Sequence, residues 1–300
     1  MYLTIFGTSD IVKEHIKSAK KNNIKIFGIY TSRGKRDLKK IQKKFHNIDI
    51  FFNIKVCIEK SILTKNCHFL VASSIKNNEK ILREICKYDR KILVEKPVFL
   101  KSNKFDKFLK YEKKIFVGYN RVFYKNLNNI PKLLKKNKLK YGSIKIPEIN
   151  KQNILINSCH IISILIHLFG PLNLNFVIKK KDYIFCVLKN KSNQIFFVEF
   201  NFNSPENFSI ELNFKKFKYI FKPIETLKIF DRINKKKIRS INVYKPNLLR
   251  QVNETELTGN KPGFDIQYKY FKKFASGHLI NFPNLKFAKR IITLCEKIIM

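Results

Sequence analysis

The sequence lacks tryptophan, lacks any C-x-x-C pair, lacks a long apolar run and is short of acid, with 22 Asp and Glu against 62 Lys and Arg. Each shortage closes a class of function. The six cysteines (57, 67, 86, 159, 186 and 295) show no spacing typical of structural zinc, so no metal is expected and reduced, buried thiols in a cytoplasmic setting are. The most apolar segment, Ile161 to Phe169, is interrupted by Ser163 and His167. At about half the length of a bilayer span it reads as a buried helix, and no membrane partner is expected. The N-terminus reads as a strand and a glycine turn, without the basic and apolar regions of a signal peptide. No internal period suggests a repeat.

What is present points to a folded protein. Apolar residues make up 44% of the 300, which argues against a disordered basic tail and fits one large or two ordinary domains. The formal charge of +40 first suggests nucleic acid or an anionic membrane. The lysines are scattered, however (Lys20-Lys21, Lys135-Lys136, Lys179 to Lys181, Lys235 to Lys237). AT-rich coding DNA produces the same abundance of Lys, Asn and Ile, so no specific nucleic-acid partner is expected.

The first 120 residues alternate short apolar runs with amphipathic stretches. Strands are expected at Tyr2–Phe6, Ile24–Tyr30, Phe51-Phe52, Phe69–Ala72, Ile92–Val94 and Ile115–Val117. Helices are expected at Ile11–Lys21, Asn78–Tyr88 and Phe105–Glu112. Fully apolar strands between helices imply a parallel, doubly wound sheet, an α/β Rossmann domain over residues 1–121. From 122 to 300 the pattern changes. A helical stretch (Phe123–Leu139) and the buried helix at 157–169 precede consecutive strands, and Phe264–Phe274 and Leu285–Ile299 read as closing helices. That order predicts an α+β domain with a largely antiparallel open sheet.

The first strand-to-helix turn reads Gly7-Thr8-Ser9-Asp10-Ile11. A dinucleotide fingerprint would carry three glycines, and only the first is here; Ser9 can still offer a backbone N–H and a small hydroxyl to a phosphate. An ordinary strand–turn–helix would read the same way. The second strand ends Tyr30-Thr31-Ser32-Arg33-Gly34-Lys35, with hydroxyls and cations where an NAD site places a carboxylate. That chemistry suits a 2′-phosphate and favours NADP over NAD; a solvated basic turn is the plain alternative.

Val94-Glu95-Lys96-Pro97 follows the fifth strand, Val117-Gly118-Tyr119-Asn120-Arg121 the sixth, and Asn157-Ser158-Cys159-His160 opens the apolar helix that ends at Leu168-Phe169-Gly170. With the turn from Gly7 to His15, these landmarks resemble, in order, the glucose–fructose oxidoreductase/inositol dehydrogenase (Gfo/Idh/MocA) family. The resemblance spans residues 1–170 and implies NAD(P)-dependent hydride transfer at a carbinol or keto carbon of a sugar, cyclitol or sugar nucleotide, plausibly in surface-polysaccharide metabolism. It also implies roles. Lys96 would hold the reacting hydroxyl beside an often cis proline bond, and His160 would be the general acid/base. Glu95, Ser73 and Ser74 would face the cofactor, and Tyr119, Asn120, Arg121 and Asn157 the substrate. A dimer or tetramer through the open sheet is common in the family.

Departures from the pattern keep other readings open. Ile156 stands where many relatives have Asp, Ser163 replaces a later Asp, and Asn78 takes a His-like position. A catalytically silent cofactor- or sugar-binding protein is therefore the second reading, and a nucleic-acid binder the third. A reductase of the biliverdin reductase type has similar architecture, but the N-S-x-H helix favours the sugar branch. Read on its own, the stripe Asn157, His160, Ser163, His167 is one polar face of an apolar helix, which should meet a cleft or a polar network.

Overall fold

The computed structural model describes residues 1–33, 38–239, 241–255 and 261–300. These form two compact units: Met1–Phe123 with Gly263–Ile292, and Tyr124–Pro262 with Thr293–Met300. The first boundary falls two residues past the expected one. The larger difference is the return of 263–292 to the first unit, where a second-domain helix was expected.

The first unit is built on six parallel strands, β1 (Tyr2–Phe6), β2 (Lys25–Tyr30), β3 (Asp49–Phe51), β4 (Cys67–Val71), β5 (Ile92–Glu95) and β6 (Ile115–Gly118), in the order β3-β2-β1-β4-β5-β6. The order reverses between β1 and β4, which makes that crevice the topological switch point. Leu3, Ile5, Phe69, Leu70, Leu93 and Phe116 have no solvent exposure, as strands covered on both faces require. Helices α1 (Ile11–Lys21), α2 (Leu38–Lys44), α3 (Ile54–Leu63) and α4 (Ile75–Ile85) connect the first five strands. Asn78, Ile81, Leu82 and Ile85 line the buried face of α4 at helical spacing.

Two expectations change here. Residues 105–112 lie within a 3-10 run, Ser102–Lys114, and not an α-helix. The buried Phe105 and Phe108 are three residues apart, a spacing that a three-per-turn helix aligns. Helix α7 (Phe264–Ala275; α5 and α6 belong to the second unit) packs on α1, with Ser18 Oγ 2.7 Å from Asp265 Oδ1 and Lys21 Nζ 2.5 Å from Oδ2. Its buried face (Phe264, Gln267, Tyr268, Phe271, Phe274) has the spacing expected of it, but the covering surface lies some 250 positions upstream, where chain order gives no hint.

In a chain poor in glycine, asparagine makes many of the left-handed turns. Asn23, Asn47, Asn66, Asn193 and Asn203 all have φ between 56° and 58°, the region this short polar side chain tolerates.

In the second unit, β7 (Leu139–Glu148) pairs parallel with β10 (Ile195–Phe202) and antiparallel with β11 (Ser209–Phe214). Strands β8 (Leu172–Lys179) and β9 (Tyr183–Asn190) extend one side, and β12 (Lys218–Phe221), β13 (Thr226–Ile238) and β14 (Ile241–Asn253) the other. All other pairings in this eight-stranded sheet are antiparallel. The helical stretch expected at 123–139 breaks into 3-10 turns and a short helix α5 (Ile130–Lys136), because Pro131 admits a helix start but not its continuation. One sheet face carries Ile144, Ile146, Ile184, Cys186, Leu188 and Phe196, all buried. Helix α6 (Cys159–Phe169) contributes Phe169, whose ring lies 4.7 Å from that of Phe196. The other face carries Tyr141, Phe176, Ile178, Tyr183 and Phe197, all exposed, and Phe185, stacked on Phe197. Helix α8 (Leu285–Ile299) closes the chain.

All six cysteines are free and buried, and burial pushes the Cys57, Cys86 and Cys186 thiols up to about 12. Among the described residues no helix is long and apolar enough to cross a membrane, and no group of three His, Cys, Asp or Glu side chains is placed to hold a metal ion.

Buried His68 in β4 accepts the Lys91 N–H at Nδ1 (3.2 Å) and donates from Nε2 to Asn66 Oδ1 (2.9 Å). Burial, then Arg90 and Lys91, push its pKa down to about 4. The unfolded chain therefore binds the extra proton more readily between about pH 6.5 and 4, and stability falls as pH falls through that window. Urea unfolding of wild type should lose about 3 kcal/mol across it relative to His68→Gln; identical pH slopes would contradict this assignment.

Candidate functional site

In the first unit the site is the C-terminal edge of the parallel sheet. Gly7 leaves β1 at φ 131°, and a β-carbon there would lie 2.2 Å from the Ala72 carbonyl oxygen. The turn after β1 is thus pressed against the end of β4 at the switch point. Ser9 donates its hydroxyl to the same Ala72 oxygen (3.1 Å). Its hydroxyl proton is engaged with the protein in this arrangement.

Lys44, which the sequence reading missed, stands over this turn. Its ammonium lies 2.7 Å from Asp10 Oδ1 and donates to the Thr8 carbonyl (3.0 Å). Hydrogen bonding and charge from Lys44, with Lys13 and Arg33 adding, hold the exposed Asp10 carboxyl below its usual range. An anion approaching α1 therefore meets a neutralised Asp10. At the end of β2, Arg33 N–H is held by Thr31 Oγ1 (3.1 Å); Gly34 and Lys35 lie outside the described residues. A recess of about 70 Å³ runs along Gly7, Tyr30, Ser32, Ile54, Ser73, Asn77, Lys80 and Ile81. It brings the expected Gly7, Ser32 and Ser73 together and adds Tyr30 and Lys80.

Ser74 precedes α4 without a side-chain cap. Ser73 donates to Asn78 Oδ1 (2.8 Å), and buried Asn78 donates to the Val98 carbonyl (3.0 Å). Asn78 thus braces the chain just beyond the Lys96-Pro97 bond, which is cis. Glu95 and Lys96 are half-buried at the end of β5. Tyr119 is fully buried, its ring 5.7 Å from Phe287; Asn120 is buried and Arg121 half-buried.

In the second unit, His160 begins α6, 7% exposed. A π-helical turn, Ile154–Ser158, precedes it. Glu148, another residue the sequence reading missed, ends β7 buried and accepts hydrogen bonds from Ser158 Oγ and, at 3.4 Å, from Asn157 Nδ2. The only signal for it was a lone acid in a Lys-rich stretch, ten residues before Ser158. The stripe does not face one cleft: Ser163 is buried and donates to the His160 carbonyl (2.6 Å), whereas His167 is exposed. A cavity of about 480 Å³ opens beside Asn157, lined by Glu148, Glu206, Asn153, Asn203, Ser204, Asn207 and four apolar side chains. No Lys or Arg is among its described lining residues.

No protein-family model and no curated protein matches this sequence. Solved structures match it over its length. A dehydrogenase (MviM) from Clostridium difficile is 17% identical at a TM-score of 0.76, covering 100% of this chain and 98% of that one. The UDP-N-acetylglucosamine 3-dehydrogenase GnnA from Acidithiobacillus ferrooxidans is 8% identical at 0.75, covering 99% and 96%. An oxidoreductase from Agrobacterium radiobacter, solved with NAD+, L-tartaric acid and magnesium, is 11% identical at 0.72, covering 99% and 94%. At such identities the likeness is one of fold: a Rossmann-type parallel sheet joined to a mostly antiparallel one.

The contact at residue 7 makes a direct prediction. Gly7→Ala combines a disfavoured φ with a clash against backbone, and should cost about 3 kcal/mol. Urea unfolding followed by far-UV circular dichroism measures it, and an unchanged midpoint would mean that the turn is looser than drawn.

Proposed function

We propose that this chain is a nicotinamide-dependent oxidoreductase of the Gfo/Idh/MocA kind, moving hydride between the cofactor and a hydroxyl- or keto-bearing carbon of a sugar-type molecule. One observation carries the reading. The Gly7 turn and the Lys96-Pro97 turn stand at the same edge of one doubly wound sheet, the first of them at its switch point.

The residues at that edge suit a dinucleotide. The opening amides of α1, with Lys44 neutralising Asp10, suit a pyrophosphate. Ser32 and Arg33 suit a 2′-phosphate, which favours NADP over NAD. A nicotinamide held there would supply the hydride chemistry. The rest falls to the chain. Lys96 holds the reacting oxygen and stabilises the negative charge that develops on it. His160 takes the hydroxyl proton in oxidation and returns it in reduction. Asn157 and the amide- and carboxylate-lined cavity beside it suit a hydroxyl-rich group better than a phosphate. Neutral sugars and cyclitols therefore come first in a test panel, with UDP-N-acetylglucosamine, the substrate in GnnA's name, as the anionic comparison. The second reading, a silent cofactor-binding protein, draws on Ile156, which puts an exposed apolar side chain one turn before His160. Six buried free thiols suit a reducing, cytoplasmic setting.

For the assembly, a homodimer or tetramer through the open sheet is the best use of its face. Tyr141, Phe176, Ile178, Tyr183 and Phe197 line an apolar patch of the kind monomers seldom leave in water.

Fluorescence titration should find NADPH bound with micromolar-scale affinity and more tightly than NADH. Arg33→Ala should shrink that preference about tenfold, the worth of one charge-assisted contact. Lys96→Ala should bind NADPH and lose turnover by about a hundredfold or more across the sugar panel. If neither cofactor binds, the reading fails; if both bind and nothing turns over, the silent protein is the better description. Light scattering should give a multimer for wild type and a monomer for Phe197→Asp; a wild-type monomer would remove the assembly from the proposal.

A further inference from the structure

Behind the Lys96-Pro97 turn three side chains form a line through the first unit. His15, on the inward face of α1 and fully buried, has Nε2 2.9 Å from Glu95 Oε1 and Nδ1 3.0 Å from the Tyr268 hydroxyl. The three come from α1, the end of β5 and α7. The Phe264 ring lies 5.0 Å from the imidazole and seals its side.

The chemistry gives the line a direction. A carboxylate only accepts, so Nε2 carries the imidazole proton and Nδ1 presents its lone pair to the phenol. Tyr268 keeps a proton to donate, because full burial and the nearby Glu95 charge raise its pKa well above the usual phenol value. Both imidazole nitrogens are then satisfied, with the line running from Tyr268 to His15 to Glu95. On the next strand a β-carbon at Gly118 would lie 3.0 Å from Glu95 Oε1, so glycine leaves the carboxylate its room. The His15 and Tyr268 end is sealed, while the Glu95 side chain keeps 16% exposure at the sheet edge. Apolar side chains in place of His15 and Tyr268 would pack α7 onto α1 without a polar group to satisfy.

We propose that His15 and Tyr268 are positioning residues: they lock the Glu95 carboxylate in one orientation toward the cofactor ribose and so set the turn that carries Lys96. This rests on the oxidoreductase reading above. Its test uses the full-length chain with Tyr268→Phe, His15→Leu, His15→Gln, Glu95→Gln and the Tyr268→Phe/Glu95→Gln pair. The probes are NADPH, by fluorescence titration, and the imidazole nitrogen spectrum of ¹⁵N-histidine-labelled protein. Circular dichroism selects the variants that remain folded.

Wild type should show a histidine with its proton on Nε2, assigned by its loss in His15→Gln, and Tyr268→Phe should turn that signal into a tautomer mixture. The NADPH Kd should rise about 3–10-fold in Tyr268→Phe, the worth of one hydrogen bond, and further in His15→Leu. His15→Gln should recover part of the loss, since an amide can still donate to Glu95. Added to Glu95→Gln, Tyr268→Phe should cost nothing more, which a merely structural role does not predict. A proton found on Nδ1, or an unchanged Kd in Tyr268→Phe and His15→Leu, overturns the proposal. Additive effects in the pair overturn it too. Wild type that binds neither NADPH nor NADH removes the functional reading on which it rests, whatever the histidine spectrum shows.

Discussion

The carbonyl of Ala72 lies where a β-carbon on residue 7 would have to sit, and the arrangement of the first unit follows from that approach. Because β1 and β4 close up so tightly, Ser9 reaches across to the Ala72 oxygen, and α1 starts directly at the switch point. The start of α1 fixes which residues point inward one and two turns later. His15 then meets Glu95, and Ser18 meets Asp265. One glycine ahead of a helix thus bears on both the amides that open α1 and the packing beneath the Lys96 turn.

The shortage of acid shapes the rest. With 22 carboxylates among 62 cations, many acids have an assigned structural partner. Asp265 ties α7 to α1 through Ser18 and Lys21. Buried Glu254 accepts the backbone N–H groups of Lys125 and Asn126 (2.8 and 3.0 Å). Glu79, near Arg83, Lys104 and Lys107, is held down to about 2, with the Arg83 hydrogen bond the largest cause. The surplus cations, by contrast, are spread along the surface. A charge of +40 therefore says less about partners than about where the few carboxylates had to go.

What the sequence made legible were features carried by local pattern. The parallel strands were readable from short apolar runs, and with them the place of Lys96 just past the end of β5. The open sheet was readable from consecutive strands without helices between them. What it hid depended on distant partners. Helix α7 was recognisable by its Phe264, Tyr268, Phe271 spacing, but a helical period states which face is buried and not against what. The 3-10 run at 102–114 escaped because aromatic residues three apart fit an α-helix nearly as well. Lys44 and Glu148 were single charges without a motif, and only the folded chain sets one over the Gly7 turn and the other beneath Ser158.

Glu148 also bears on whether the second unit still holds the means for proton transfer. The motif's carboxylate positions are filled by Ile156 and Ser163, and Ser163 spends its proton on the His160 carbonyl within its own helix. A carboxyl group has not left the region, however. It comes instead from the end of β7, where Glu148 accepts from both Asn157 and Ser158 and so ties the π turn to the sheet just before His160. A carboxylate buried to 6% exposure carries a large desolvation cost unless neighbouring donors offset it. Here those donors are the two residues that open the His160 helix. Glu148 and Asn157 also line the cavity of about 480 Å³, so the contact that ties down the start of the His160 helix also fixes one wall of that cavity.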